Sequence, residues 1–133
     1  MSESDLVFDT WAWWEYLRAS PTGESLRGRY VRGGAYRIHT SAITLAEISA
    51  KLWSEGHGDR VSATLGSIRR LSHIWDVDAD IAQEAGPIRA ELRKSLTTVS
   101  LADAIILITS RRAGARLVSG DRAFSGVPGV LRE

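Results

Sequence analysis

Short apolar runs alternate with amphipathic segments of helical period along the chain, and this alternation constrains its fold more than any other feature. The apolar runs have the length of strands and are bounded by turn residues. We predict strands at residues 4–9, 35–39, 73–77, 115–120 and 128–132. Apolar residues recurring three and four positions apart predict helices at 10–19, 22–32, 59–71 and 79–96, with further helices opening at Thr44 and Ser100. This order favours an α/β fold, a three-layer α/β/α sandwich with a mainly parallel central sheet.

Two of the predicted helices carry additional signals. Gly86 and Pro87 interrupt the helix at 79–96, so we expect a kink or a break there. The helix after Ser100 is apolar on all sides from Ala104 to Ile108, which indicates a central, buried position. Gly114 is expected to end it.

Size and composition indicate one ordinary globular domain. The 133 residues contain no linker or repeat, so we predict a single domain spanning residues 1–133. The absence of cysteine excludes disulfides, a thiolate metal site and a cysteine nucleophile. We expect a cytoplasmic protein without a membrane span, because neither a secretory signal nor a long apolar run is present. A net charge of +1 excludes a general electrostatic affinity for nucleic acid but not a local one.

Four acidic residues lie at the ends of predicted strands or at the starts of predicted helices. Asp9 ends the first strand, and Asp121 directly follows a later one. Glu47 and Asp103 lie in the first turns of the helices opened by Thr44 and Ser100. Because strand ends and the helix starts that follow them share one edge of a parallel sheet, we expect these four side chains to converge.

A cluster of carboxylates is energetically costly, because like charges at close range repel and raise one another's pKa. A divalent cation relieves the repulsion, and Mg²⁺ and Mn²⁺ prefer carboxylate and water oxygens. Each residue taken alone could instead have a structural role and no part in metal binding. Thr44 to Glu47 and Ser100 to Asp103 have the spacing of capping boxes, and Asp121 suits a turn or an N-cap.

Four short motifs resemble those of the PIN-domain nucleases, and most closely those of the compact VapC-type toxins of toxin–antitoxin pairs. They are LVFDT (6–10), TLAEI (44–48), SLADAI (100–105) and LVSGDRAF (117–124), and the resemblance covers nearly the whole chain. It implies a parallel sheet flanked by helices and an acidic pocket that binds Mg²⁺ or Mn²⁺. It also implies hydrolysis of RNA phosphodiester bonds, a protein antitoxin as partner and a homodimer.

The resemblance assigns roles to particular residues. Asp9, Glu47, Asp103 and Asp121 match the four acidic positions of the family, and Asp9 and Asp103 are expected to ligate the metal directly. Thr10 and Ser119 supply supporting hydroxyl groups, with Ser119 standing where the family usually has threonine. A metal would lower the pKa of the attacking water and stabilise the charge that develops on the phosphoryl oxygens.

Basic and aromatic residues suggest further contacts. Arg112, Arg116 and Arg122 are candidates for binding the RNA backbone, although a solvated helix end is the favoured explanation for the first two. Trp11, Trp13 and Trp14 cannot all lie on one narrow buried stripe, so at least one is expected to be exposed or at an interface. His39 is expected to be packed or hydrogen-bonded rather than a metal ligand.

Other classes of protein share some of these features. A receiver-type signalling domain has similar size and alternation, but it needs paired acidic residues after the first strand, where this chain has Phe8 and Asp9. It also needs a lysine after a late strand, and neither lysine is so placed. A haloacid-dehalogenase phosphatase is disfavoured by Trp11, which stands where its second aspartate would be. A PIN-like binding module without turnover, and a housekeeping nuclease rather than a toxin, stay open.

Overall fold

A computed structural model describes residues 3–120 and 122–133 of the chain. Its core is a five-stranded sheet in the order β3-β2-β1-β4-β5, and every neighbouring pair of strands is parallel. The strands are β1 (Asp5–Phe8), β2 (Arg37–Ser41), β3 (His73–Trp75), β4 (Arg116–Ser119) and β5 (Val130–Arg132). The predicted parallel sheet is therefore confirmed, with β5 at one edge.

Helices cover both faces of this sheet. They are α1 (Thr10–Leu17), α2 (Pro21–Leu26), α3 (Ala42–Ser54), α4 (Val61–Leu71), α5 (Ala79–Leu92) and α6 (Leu101–Arg112). A π-helical turn (Arg27–Val31) continues α2, and 3₁₀ turns at Gly58–Arg60 and Arg122–Phe124 precede α4 and β5. Within the described ranges, each helix is too short or too polar to cross a lipid bilayer.

The central strand β1 shows why the fold has three layers. Its side chains are all buried, as expected for a parallel strand covered on both faces. Leu6 and Phe8 belong to one apolar cluster, which includes Trp13 of α1 and Ile48 of α3. Val7 points the other way, into a second cluster that contains Ile106 and Leu107 of α6 among its members. The predicted α/β/α sandwich is confirmed.

The expected break at Gly86 and Pro87 is wrong, because α5 continues through both residues. Gly86 and Pro87 are exposed, so the proline ring lies on the solvent side of the helix. On the opposite side, Ile81 and Ala85 are buried against α6. This packing offsets the backbone hydrogen bond that proline cannot donate.

The predicted burial of α6 is confirmed, since all seven residues from Ala104 to Ser110 are buried. Its C-terminal end is also as predicted. Gly114 follows with φ of +62°, a left-handed conformation that glycine adopts without steric cost.

The close approach of α1 and α2 predicts a large effect of one methyl group. A Cβ built on Gly23 would lie 1.9 Å from the carbonyl oxygen of Glu15, and backbone atoms cannot move aside easily. We expect Gly23→Ala to destabilise the fold by about 1–3 kcal/mol. Thermal unfolding measures this, with Gly28→Ala as the control, since nothing lies within 4 Å of a Cβ at Gly28. Equal melting temperatures of the two variants would contradict the prediction.

Candidate active site

The strand order reverses between β1 and β4. The chain proceeds from β1 to β2 and β3 on one side and then returns to place β4 and β5 on the other. Ligands of open parallel sheets bind at the carboxyl ends of the strands, where the order reverses in this way. Asp9 directly follows β1, and its backbone N–H donates to the carbonyl of Val118 in β4 at 3.3 Å.

Asp9 is a buried carboxylate at this switch point, with 3% of its surface exposed. It is the N-cap of α1, and its Oδ1 accepts a hydrogen bond from the Ala12 N–H at 2.7 Å. This role follows from the sequence, because an aspartate between an apolar strand and a helix caps that helix well. Asp9 therefore has a structural role in addition to the catalytic one that the family resemblance implies.

Glu47 lies in the same region, on α3, the helix that follows the neighbouring strand β2. Asp5, Leu6 and Val7 pair with Arg37, Ile38 and His39, respectively. Because β1 and β2 run side by side in this register, the helices that follow them also start side by side. The Thr10 hydroxyl at the start of α1 donates to Oε1 of Glu47 at 2.6 Å. The Thr10 oxygen also lies 3.1 Å from the hydroxyl oxygen of Thr44.

The sequence-based start of α3 was two residues late. The helix begins at Ala42 and is capped by the Ser41 side chain, which accepts from the Ile43 N–H at 3.3 Å. Glu47 consequently lies in the second turn, and its alternative role in a capping box with Thr44 is wrong. Thr40 and Ser41 are polar, yet both belong to β2. Both are buried, and the Thr40 hydroxyl accepts from the Trp13 indole at 2.9 Å.

Asp103 lies at the same edge of the sheet for a topological reason. A short turn joins α6 to β4, which runs parallel to β1, so α6 runs from the carboxyl edge to the amino edge. Asp103 in its first turn does form a capping box. Its Oδ2 accepts from the Ser100 N–H at 2.9 Å, and its own N–H donates to the Ser100 hydroxyl at 3.0 Å. The structural alternative is thus confirmed for Asp103, and it leaves the catalytic prediction untested.

The fourth predicted acid, Asp121, lies outside the described residues. The chain just before it is tightly packed: a Cβ on Gly120 would lie 2.3 Å from Cζ2 of the Trp11 indole. A side chain at position 120 would have to displace that ring, and Ser119 before it is buried at the end of β4. Sequence reasoning missed this contact, and the glycine of the SGD motif was its one signal.

Oxygen donors alone make up the predicted metal site, and this chemistry fits a hard divalent cation. Asp9 and Glu47 are linked through Thr10, and Asp103 lies on the same sheet edge. In the part of the chain that the structure describes, however, no three histidine, aspartate or glutamate side chains are close enough together to hold an ion. Metal ligation by Asp9 and Asp103 therefore stays a prediction.

Two of the predicted substrate-binding arginines lie at the other end of the sheet. Arg112 is in the last turn of α6, about 18 Å along the helix from its start, and pairs with Glu84 at 2.8 Å. Arg116 begins β4 and donates to the Glu3 carbonyl at 2.7 Å. Arg122 follows β4 at the carboxyl edge and is exposed. Substrate contact by all three stays a prediction, and RNA would have to extend around the sheet to reach the first two.

His39 is hydrogen-bonded, as the sequence predicted. Its Nδ1 accepts from the Trp75 indole at 3.1 Å, so its Nε2 carries the proton and donates to Asp5 at 2.8 Å. Arg37 donates to both oxygens of Asp5, and these hydrogen bonds raise the pKa of Arg37. This network ties β1, β2 and β3 together, and sequence analysis did not find it.

The three tryptophans of α1 differ in burial, as their spacing predicted. Trp13 is fully buried, whereas Trp11 and Trp14 are partly exposed. Trp14 lines a surface cavity of about 250 Å³ together with Leu17 and Leu52 among other residues.

Known structures share this fold. The chain matches VapBC2 of Rickettsia felis, bound to a promoter DNA fragment, with a TM-score of 0.73 and 18% identity over 97% of both chains. A DNA-bound VapBC of Salmonella typhimurium gives 0.72 and 23%, covering 100% of this chain and 98% of that one. Mycobacterium tuberculosis VapC20, described as a sarcin–ricin loop cleaving toxin, gives 0.72 and 20%, covering 96% and 99%. At these identities the likeness concerns the fold.

Sequence comparisons and the strand order identify the family of this chain. A search of curated proteins gave no match. The receiver alternative is wrong, because the flavodoxin-like order of receiver domains is 2-1-3-4-5, whereas this sheet has the order 3-2-1-4-5. The family model of the PIN domain matches residues 6–130, nearly the whole chain. The chain therefore belongs to the PIN domain family.

Proposed function

We propose that the protein is an endoribonuclease that hydrolyses RNA phosphodiester bonds with Mg²⁺ or Mn²⁺. The observation that supports this most is the buried Asp9 carboxylate at the topological switch point, with Glu47 joined to its neighbour Thr10. A buried carboxylate is costly unless hydrogen bonds or nearby positive charge stabilise it, and a divalent cation would add such charge to the hydrogen bond from the Ala12 N–H. Family membership adds the chemistry that such a position serves in PIN domains.

In this proposal Asp9 and Asp103 hold the metal directly, and Glu47 and Asp121 bind it directly or through water. A bound metal supplies acidity to the attacking water and compensates the developing phosphoryl charge. The chain's own part is to keep the acids in place. The Ala12 N–H fixes the Asp9 carboxylate, the Thr10 hydroxyl fixes Glu47, and the rigid start of α6 carries Asp103.

We further propose that the enzyme is the toxin of a toxin–antitoxin pair, with a protein antitoxin and a second copy of the chain as partners. The support is the fold likeness to VapBC complexes and to a toxin described as cleaving the sarcin–ricin loop. A small neighbouring gene for a DNA-binding protein would favour this role over that of a housekeeping nuclease.

A cleavage assay tests the enzymatic proposal. We expect the purified protein to cleave structured or single-stranded RNA when Mg²⁺ or Mn²⁺ is present and to stop when EDTA is added. Denaturing gels of end-labelled RNA measure this. RNA binding without cleavage under any divalent cation would overturn the proposal and favour a PIN-like binding module.

A further inference from the structure

Thr44 is a fully buried hydroxyl next to the proposed acidic site, in the first turn of α3. Its oxygen lies 3.1 Å from that of Thr10, which in turn lies 2.6 Å from Oε1 of Glu47. Thr44 and Glu47 are three positions apart on α3, so both side chains face α1 across the same helix–helix contact. The three side chains thus form one chain of hydrogen-bonding groups.

The number of hydroxyl protons fixes which group donates in each of these hydrogen bonds. A threonine hydroxyl has one hydrogen to donate and two lone pairs that accept, whereas a carboxylate only accepts. The short distance to Glu47 is typical of a hydroxyl donating to an ionised carboxylate, so the Thr10 proton is used there. The contact between Thr10 and Thr44 would be repulsive if both oxygens presented lone pairs. Thr44 must therefore donate to Thr10.

We infer that Thr44 is a positioning residue, which fixes the Thr10 hydroxyl so that it holds Glu47 against the start of α1. This inference rests on the proposed function for its catalytic meaning. Donation from Thr44 polarises the Thr10 hydroxyl and strengthens its bond to Glu47. It also keeps Thr10 in the rotamer that reaches Glu47, because that rotamer gives the partly buried Thr10 oxygen a donor.

Two substitutions separate the hydroxyl of Thr44 from its bulk. Thr44→Val replaces the hydroxyl by a methyl group, which would lie too close to the Thr10 oxygen and turn it away from Glu47. Thr44→Ser keeps the donor and loses only a methyl. We expect Thr44→Val to lower kcat for RNA cleavage about tenfold, with KM within about twofold of wild type. Thr44→Ser is expected to restore most of the rate.

Thr109 provides a matched control. It is a buried threonine whose hydroxyl donates to the Ile105 carbonyl at 2.9 Å, and it lies near the C-terminal end of α6, away from the sheet edge where Thr10 and Glu47 lie. Thr109→Val removes a buried hydroxyl in the same way, so it is expected to change the melting temperature without changing kcat. A drop in kcat for Thr109→Val as large as that for Thr44→Val would assign the effect to stability and overturn the inference.

Crystal structures of the variants give a readout that does not depend on activity. In Thr44→Val we expect the distance from Thr10 Oγ1 to Glu47 Oε1 to exceed hydrogen-bonding range, and in Thr44→Ser to stay close to 2.6 Å. An unmoved Glu47 in Thr44→Val would overturn the inference even if RNA is cleaved. If wild type fails to cleave RNA, the proposed function fails, and the same crystal comparison still decides whether Thr44 positions Glu47.

Discussion

Asp9→Asn is expected to reduce RNA cleavage at least about a hundredfold while leaving the fold intact. The asparagine Oδ1 can still accept from the Ala12 N–H, so the N-cap of α1 is preserved. What is lost is the negative charge that the proposed mechanism needs. Cleavage rates under saturating Mn²⁺, with thermal unfolding of the same samples, measure both parts.

Asp78 offers a control with the same local geometry. It caps α5 with φ of −78° and ψ of 177°, against −77° and 179° at Asp9, and its Oδ1 accepts from the Ile81 N–H. Asp78 is exposed and belongs to none of the predicted motifs. Asp78→Asn should therefore cleave RNA at the wild-type rate. Equal activity of Asp9→Asn and Asp78→Asn would show that Asp9 serves only as a cap.

A divalent cation is expected to raise the melting temperature of the wild-type protein. A ligand that binds only the folded state, at a hundredfold excess over its Kd, stabilises by about 2.7 kcal/mol, which corresponds to on the order of 10 °C for a domain of this size. Scanning calorimetry with millimolar Mn²⁺ against EDTA measures the shift. Asp9→Asn should show little of it and Asp78→Asn all of it. A shift of the same size in both variants would place the ion elsewhere.

Local sequence patterns predicted the elements of this fold well, because burial on a sheet face or a helix stripe leaves a period in the sequence. They failed where tertiary packing overrides local chemistry. Thr40 is a buried polar residue inside β2, and its hydroxyl is satisfied by the Trp13 indole, which only the folded chain brings near. Pro87 stays in a continuous α5 because its ring faces solvent while the other side packs on α6.

The candidate site was predictable to a different degree for each residue. Asp9 stood out, because a charge that closes an apolar strand is expected to be partly buried and to need a partner. The bond between Thr10 and Glu47 joins residues 37 positions apart and depends on the register of β1 against β2, which no local signal encodes. The same holds for Trp11 on Gly120 and for Trp75 on His39.

The central claim is that acids far apart in sequence share one divalent ion. Titration of the protein with Mn²⁺, followed by electron paramagnetic resonance of the free ion, tests it in wild type and in Asp9→Asn, Glu47→Gln, Asp103→Asn and Asp121→Asn. We predict one site in wild type that each substitution weakens about tenfold or more. An affinity unchanged by all four substitutions, or no binding at millimolar Mn²⁺, would contradict the claim.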